Sequence, residues 1–208
     1  MTRLRFDEIQ RSQYRRLCEE LAPLAAAGGL VDVTVPDLER LAELPAGTFS
    51  DRFSDLEDFL AAVWDAISAE LEVLEDDAFS GSAPWRVRVR SVLEAQVDYF
   101  ALHSDLARLY LAESVFAGER MQRRRRIAIG RMARMIDAGR CEGRRNGAPF
   151  AGADAVAGAL WTQMAQVVRA GQPEELRERL PEFMYLVVLP YCGSAAAREE
   201  LAAHSQSR

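Results

Sequence analysis

Apolar residues recur at three- and four-residue intervals along nearly the whole of this 208-residue chain, and nowhere do they alternate with polar residues for long. That spacing places them on one side of an α-helix and argues against a sheet. Leu17, Cys18, Leu21, Leu24 and Ala25 form one such stripe, ending at the helix stop Gly28-Gly29. Thr34-Val-Pro-Asp37 announces a short helix, with Thr34 as cap and Pro36 in the first turn. A third short element follows around Pro45 to Arg52. Ser54-Asp-Leu-Glu57 has the capping-box pattern and opens a long helix through Phe59, Leu60, Val63, Trp64, Ile67 and Leu71. This helix is expected to fade at Glu75-Asp76-Asp77, before the loop Ser80 to Pro84.

The pattern resumes at Trp85 with Val89, Val92, Leu93, Tyr99 and Phe100, breaks near His103-Ser104, and continues through Leu106, Leu109, Tyr110 and Val115 to Gly118. An arginine-rich helix from about Glu119 to Arg140 turns Ala128, Met132, Met135 and Ile136 inward. Residues 143–152 read as loop. The two cleanest stripes come last: Ala157, Leu160, Trp161, Met164, Val167 and Val168, then Leu176, Leu180, Phe183, Met184, Val187 and Tyr191. Pro173 and Gly193 bracket the second, and the tail from Ser194 is expected to fray. The reading is all-α, about nine helices without internal repeat.

Composition narrows the class. With 49% hydrophobic and 28% charged residues the chain can bury a sizeable core, as one large domain or two small ones. The longest apolar run, Phe183 to Cys192, is half a bilayer span, so no membrane is expected. Met1 to Arg5 leads into charge rather than a signal core, and Cys18, Cys141 and Cys192 lie far apart; a reducing, cytoplasmic setting is expected. Net charge is -6, and every basic residue is arginine. The first 60 residues hold seven arginines against twelve acids, so bulk charge there does not attract a polyanion.

A helix, a short capped helix and a tight turn into another short helix make a helix-turn-helix arrangement. Gly29, Thr34, Leu38, Leu41-Ala42, Leu44, Gly47-Thr48-Phe49, Phe53, Glu57 and Leu60 fall in step with the N-terminal domain of TetR-family transcriptional regulators, which this run resembles over about fifty residues. The resemblance implies a helix-turn-helix domain over residues 1–54 and an effector-binding and dimerisation bundle over 55–193, with 194–208 left as a flexible tail. It implies Thr34, Pro45, Ala46, Gly47, Thr48, Ser50 and Arg52 as DNA-contacting positions. Ala46 and Thr48 face the bases and reach only a thymine methyl or a single hydrogen bond. Departures weaken the phosphate grip. Ser50 stands where the family has tyrosine, Arg52 for histidine, Leu56 for lysine and Glu43 for a turn glycine. Each lost phosphate neutralisation lowers the salt slope by about 0.9, so a weakened operator affinity is expected, helped by Arg3, Arg5 and Arg11.

In the rear bundle, Trp64, Tyr99, Phe100, His103, Tyr110, Phe116, Met121 and Met132 gather aromatic and soft side chains suited to a small hydrophobic effector, although a plain core has the same appearance. The resemblance implies a symmetric dimer through the last two long helices. Its candidate interface is Ala157, Leu160, Trp161, Met164, Val168, Phe183, Met184, Val187 and Tyr191, parts of which an intramolecular core also claims. Arg123 to Arg126 read as a solvated face pairing with Glu119 or with the acidic front. Two histidines, no glycine-rich phosphate loop, no GxSxG and no paired metal ligands leave no recognisable catalytic site, metal or cofactor. The expectation is a ligand-responsive DNA-binding homodimer, a repressor on a palindromic operator. The alternative is a dimer of the same shape that has lost operator binding and serves as a small-molecule or protein-binding module.

Overall fold

A computed structural model describes residues 36, 37, 40, 53–112, 118–140 and 152–205 of the chain. Pro36, Asp37 and Arg40 are helical, as the Thr34–Asp37 pattern predicts, and Arg40 pairs with Asp37 at 2.6 Å. All seven sequence-predicted DNA contacts, Thr34, Pro45, Ala46, Gly47, Thr48, Ser50 and Arg52, lie outside the described residues. Among the described residues there are seven α-helices, one π-helical turn and no strand.

Helix α1 spans Leu56–Phe79. Its cap is Asp55, one residue later than the Ser54 the sequence favours. The Asp55 carboxylate accepts from the Asp58 N–H at 2.7 Å, and Asp58 Oδ2 accepts in return from the Ser54 N–H at 3.3 Å. An ionised acceptor makes the stronger cap bond, and the backbone donors hold the Asp55 carboxyl below its usual range. The helix does not fade at Glu75. That residue continues the buried series Trp64, Ile67, Leu71, so an acid occupies a core position and the helix runs one turn further.

Helix α2, Trp85–Leu102, returns along α1 and ends at His103, as predicted. A single turn, α3 (Ser104–Ala107), passes into a π-helical turn, Arg108–Ala112. Helix α4, Glu119–Asp137, buries Met121, Met132, Met135 and Ile136, with Ala128 partly covered. Helix α5, Ala153–Arg169, stops at Gly171 (φ 76°), where Gln172 N–H reaches Val167 O and Gly171 N–H reaches Val168 O. That pair of bonds ends the helix with a left-handed residue.

The last stripe is carried by a short turn, α6 (Glu175–Glu178), and by α7 (Leu180–Ser205), which breaks at Gly193 (φ 82°, ψ 175°) and continues. The expected frayed tail is therefore helical through Ser205. Arg86 of α2 pairs with Glu199 at 3.2 Å and Glu200 at 2.6 Å, and Arg90 also pairs with Glu200. By length and composition Leu180–Ala202 is long and apolar enough to cross a bilayer, but 44% of its apolar window is buried against the bundle.

The arginine row is also corrected. Of Arg123 to Arg126, Arg124 pairs with Asp65 of α1 at 2.7 Å rather than with Glu119; elsewhere on α4, Arg120 pairs with Asp58 at 3.4 Å, and Arg131 with Glu72 and Glu75 at 2.6 and 2.5 Å. Arg123 and Arg126 are exposed, whereas the Arg125 guanidinium lies 5.7 Å above the Trp161 ring. An acid-and-arginine ladder thus ties α4 to α1.

Candidate functional site

Between α1, α2, α4, α5 and the π turn lies a cavity of about 30 Å³. Helical spacing builds its walls. Ala128, Ile129, Arg131 and Met132 share one face of α4; Ala157, Leu160, Trp161 and Met164 share one face of α5. Gln96 and Phe100, four apart, come from α2, and Glu75 comes from α1. The π turn brings Tyr110 and Leu111 to the same void, and its Ala112 carbonyl accepts from Arg169 at 3.3 Å. Such turns recur at functional sites because the extra residue re-aims side chains.

One end of the cavity is aromatic. Tyr110 stacks on Trp64 (centroids 4.0 Å, planes 19° apart), lies 5.2 Å from Trp161 and 5.9 Å from Phe100. Ser68 Oγ donates to the Tyr110 hydroxyl at 3.4 Å, and burial pushes that phenol well above its ordinary value. The Trp161 Nε1–H is buried without an acceptor among the described residues.

The other end is polar. Gln96 Nε2 donates to Glu75 Oε1 at 2.5 Å, and Arg131 Nη2 donates to Glu75 Oε2 at 2.5 Å. Glu75 is 3% exposed. Burial pushes its carboxyl up to about 7, with Gln96 pulling the other way, and burial lowers the Arg131 guanidinium to about 10. Desolvation disfavours each charge, and the Arg131 guanidinium is shared between Glu75 and the more exposed Glu72. Arg131 Nε has no partner among the described residues.

Of the eight pocket residues the sequence predicts, Phe100, Tyr110 and Met132 line the cavity, and Trp64 backs it through the Tyr110 stack. Tyr99 instead donates its hydroxyl to Glu70 at 2.9 Å and stands edge-on to His103, away from the void. Met121 is buried without lining the cavity, and Phe116 lies outside the described residues. Sequence reasoning missed Glu75, Gln96 and Arg131. The available signal was an acid and an amide in core register: Glu75 four after Leu71, Gln96 between Leu93 and Phe100.

The predicted dimer stripe needs a physical correction. Ala157, Leu160, Trp161, Met164, Val168, Phe183, Met184, Val187 and Tyr191 are each 9% exposed or less within the single chain. They are core, with Trp161 claimed by the cavity. A stripe seen in sequence says only that a face is covered, not by which chain.

No family model and no curated protein matches the sequence. Solved structures do match its shape. A bacterial regulatory protein of the TetR family from Rhodococcus RHA1 superposes with TM-score 0.67 at 18% identity, over 86% of this chain and 96% of that one. A TetR-family transcription regulator from Marinobacter aquaeolei VT8 superposes with TM-score 0.57 at 16% identity, over 85% and 97%. The chain has a TetR-like fold. These neighbours are regulators rather than enzymes, and the TetR-like bundle around the cavity holds no cluster of metal-ligating side chains among its described residues.

Proposed function

We propose that this chain is a ligand-responsive, DNA-binding transcriptional regulator, a repressor that acts as a homodimer on a palindromic operator. The observation that carries this reading is the TetR-like fold over 86% of the chain, together with the helix-turn-helix spacing of residues 28–60. The cavity supports the ligand response. Its polar end includes Glu75 on α1, the helix that follows directly on the first 54 residues, so an occupant that moves Glu75 acts on the element joined to the helix-turn-helix segment. Two recognition helices about 34 Å apart read a palindrome, and a tilt of α1 changes that separation.

The dimer contact is reassigned to the outward sides of α5 and α7. Gly158 and Ala159 permit close approach, and Tyr185, Leu186 and Leu189 give half-buried apolar cover. A gel-shift salt titration against DNA flanking the gene tests the regulator reading. Sequence-specific retardation near physiological salt supports it. No retardation even at low salt favours the second reading, a TetR-shaped binding module, which the acidic front segment with Ser50 and Leu56 favours. Ser50→Tyr with Leu56→Lys should tighten binding and steepen the salt slope by about 0.9 for each phosphate regained.

A further inference from the structure

Buried N–H groups at this cavity are left without acceptors among the described residues. Among the described residues, Arg131 Nε and Trp161 Nε1, both on residues lining the void, find no acceptor; nor does Arg125 Nε, whose guanidinium sits over the Trp161 ring. Trp161 is about nine-tenths buried. An unmade buried donor costs roughly 1–3 kcal/mol, which an entering acceptor recovers. A cationic amine brings no acceptor to the unbonded Arg131 N–H, and the aromatic and methionine walls disfavour a wholly polar ligand.

We propose that the cavity binds a small carboxylate with an apolar body, whose head takes Arg131 from Glu75 at the polar end and whose body lies toward Tyr110 and Trp161 at the aromatic end. This rests on the ligand-responsive reading above and names the class of its effector. Arg–carboxylate bonds are charge-assisted and among the stronger polar contacts a buried site offers. Glu75, released from Arg131, takes a proton from solvent, so no net charge is added to the interior. Burial already raises its carboxyl to about 7, which makes that protonation accessible near neutrality. The charged and titratable groups facing it are Arg131 from α4, Tyr110 from the π turn, and Glu72 and Asp76 on its own helix. At about 30 Å³ the void holds on the order of two waters, so the ligand body enters by displacing Met132 and Met164, unbranched side chains that adapt readily. Binding cuts the innermost rung of the ladder joining α4 to α1.

The test is a titration of the full chain with benzoate and propionate, each against its amide, and with benzylamine, read by tryptophan fluorescence and thermal shift. One carboxylate should saturate at about tenfold lower concentration than its amide, and benzylamine should not bind. Glu75→Gln frees Arg131 from its internal rival and should tighten carboxylate binding by about tenfold. Glu75→Gln with Arg131→Gln, checked for folding by circular dichroism, should erase the preference for carboxylate over amide. Equal binding of acid and amide in both wild type and Glu75→Gln overturns the proposal, as does saturable binding of neither carboxylate in either protein. A chain that shifts DNA but binds no carboxylate loses this site alone. One that binds carboxylate and never shifts DNA loses the regulator reading and keeps the site.

Discussion

Trp85 and Trp161 are both buried indoles of one bundle, and their surroundings are opposite. Trp85, 1% exposed, donates Nε1–H to the Met135 carbonyl at 3.0 Å, and its ring rests on the bare Cα of Gly139, where a Cβ would stand 2.4 Å from the ring. Tyr191 closes the far side at 5.3 Å. Trp161 has no acceptor among the described residues and borders a void, with a guanidinium over its face. The first site is complete within the chain; the second has unused bonding capacity. Close packing and satisfied polar groups fix one arrangement, whereas a void with unmade bonds leaves room for another occupant.

Substitutions at the two sites should separate them. The largest effect belongs to Gly139→Val, which drives side-chain carbon into the Trp85 ring; urea denaturation should show a loss of about 3 kcal/mol. Gly130→Ala, where an added Cβ meets nothing, should instead gain about 0.5–1 kcal/mol in the same assay. An equal loss at both would mean that the tight contact at Trp85 is absent.

Next in size is the matched pair Trp85→Phe and Trp161→Phe. The first breaks a buried hydrogen bond and should cost about 2 kcal/mol; the second breaks none, keeps an aromatic ring among Trp64 and Tyr110, and should cost less than half as much. Reversal of that order would break the comparison.

Smaller still is the pH response at the cavity. The folded Glu75 carboxyl sits at about 7, above its ordinary value of 4.5, so between those values the native state binds the extra proton. Its contribution to stability is full below about pH 4.5 and is lost as pH rises through about 7. Relative to Glu75→Gln, the wild type should therefore lose stability across that window, by at most about 1.4 kcal/mol per pH unit, measured by denaturation at successive pH values. A pH-independent difference would place the Glu75 proton elsewhere.

The smallest effect is at the seam that holds the last helix. Glu200 is buried, but Arg86 and Arg90 are about a third exposed, so solvent screening limits the loss in Glu200→Gln to about 1 kcal/mol. Faster hydrogen exchange confined to Ser194–Ser205 checks it; unchanged exchange would show that the arginines do not hold the segment.

Much of the bundle was legible in the order of residues. The breaks at His103 and Gly118, the inner face of the helix from Glu119, and the two late stripes follow from a period of 3.6 and from glycine and proline chemistry, both local properties. Tyr110, Phe100 and Met132 were found at the cavity for the same reason: large soft residues on covered faces collect where helices converge. Glu75, Gln96 and Arg131 were not found, because acid, amide and arginine read as surface when each is taken alone, and only their mutual proximity makes burial affordable.

The sequence by itself determined that the chain is helical, where most helices begin and end, and which faces are covered, since these depend on residues three or four apart. Tertiary structure alone decided which chain covers the late stripes, that Ser194–Ser205 is a docked helix rather than a loose end, and that an arginine and a glutamate share a void with an unpartnered indole. Those outcomes depend on groups about 20 to more than 100 positions apart meeting at hydrogen-bond distance, and local periodicity carries no information about such encounters.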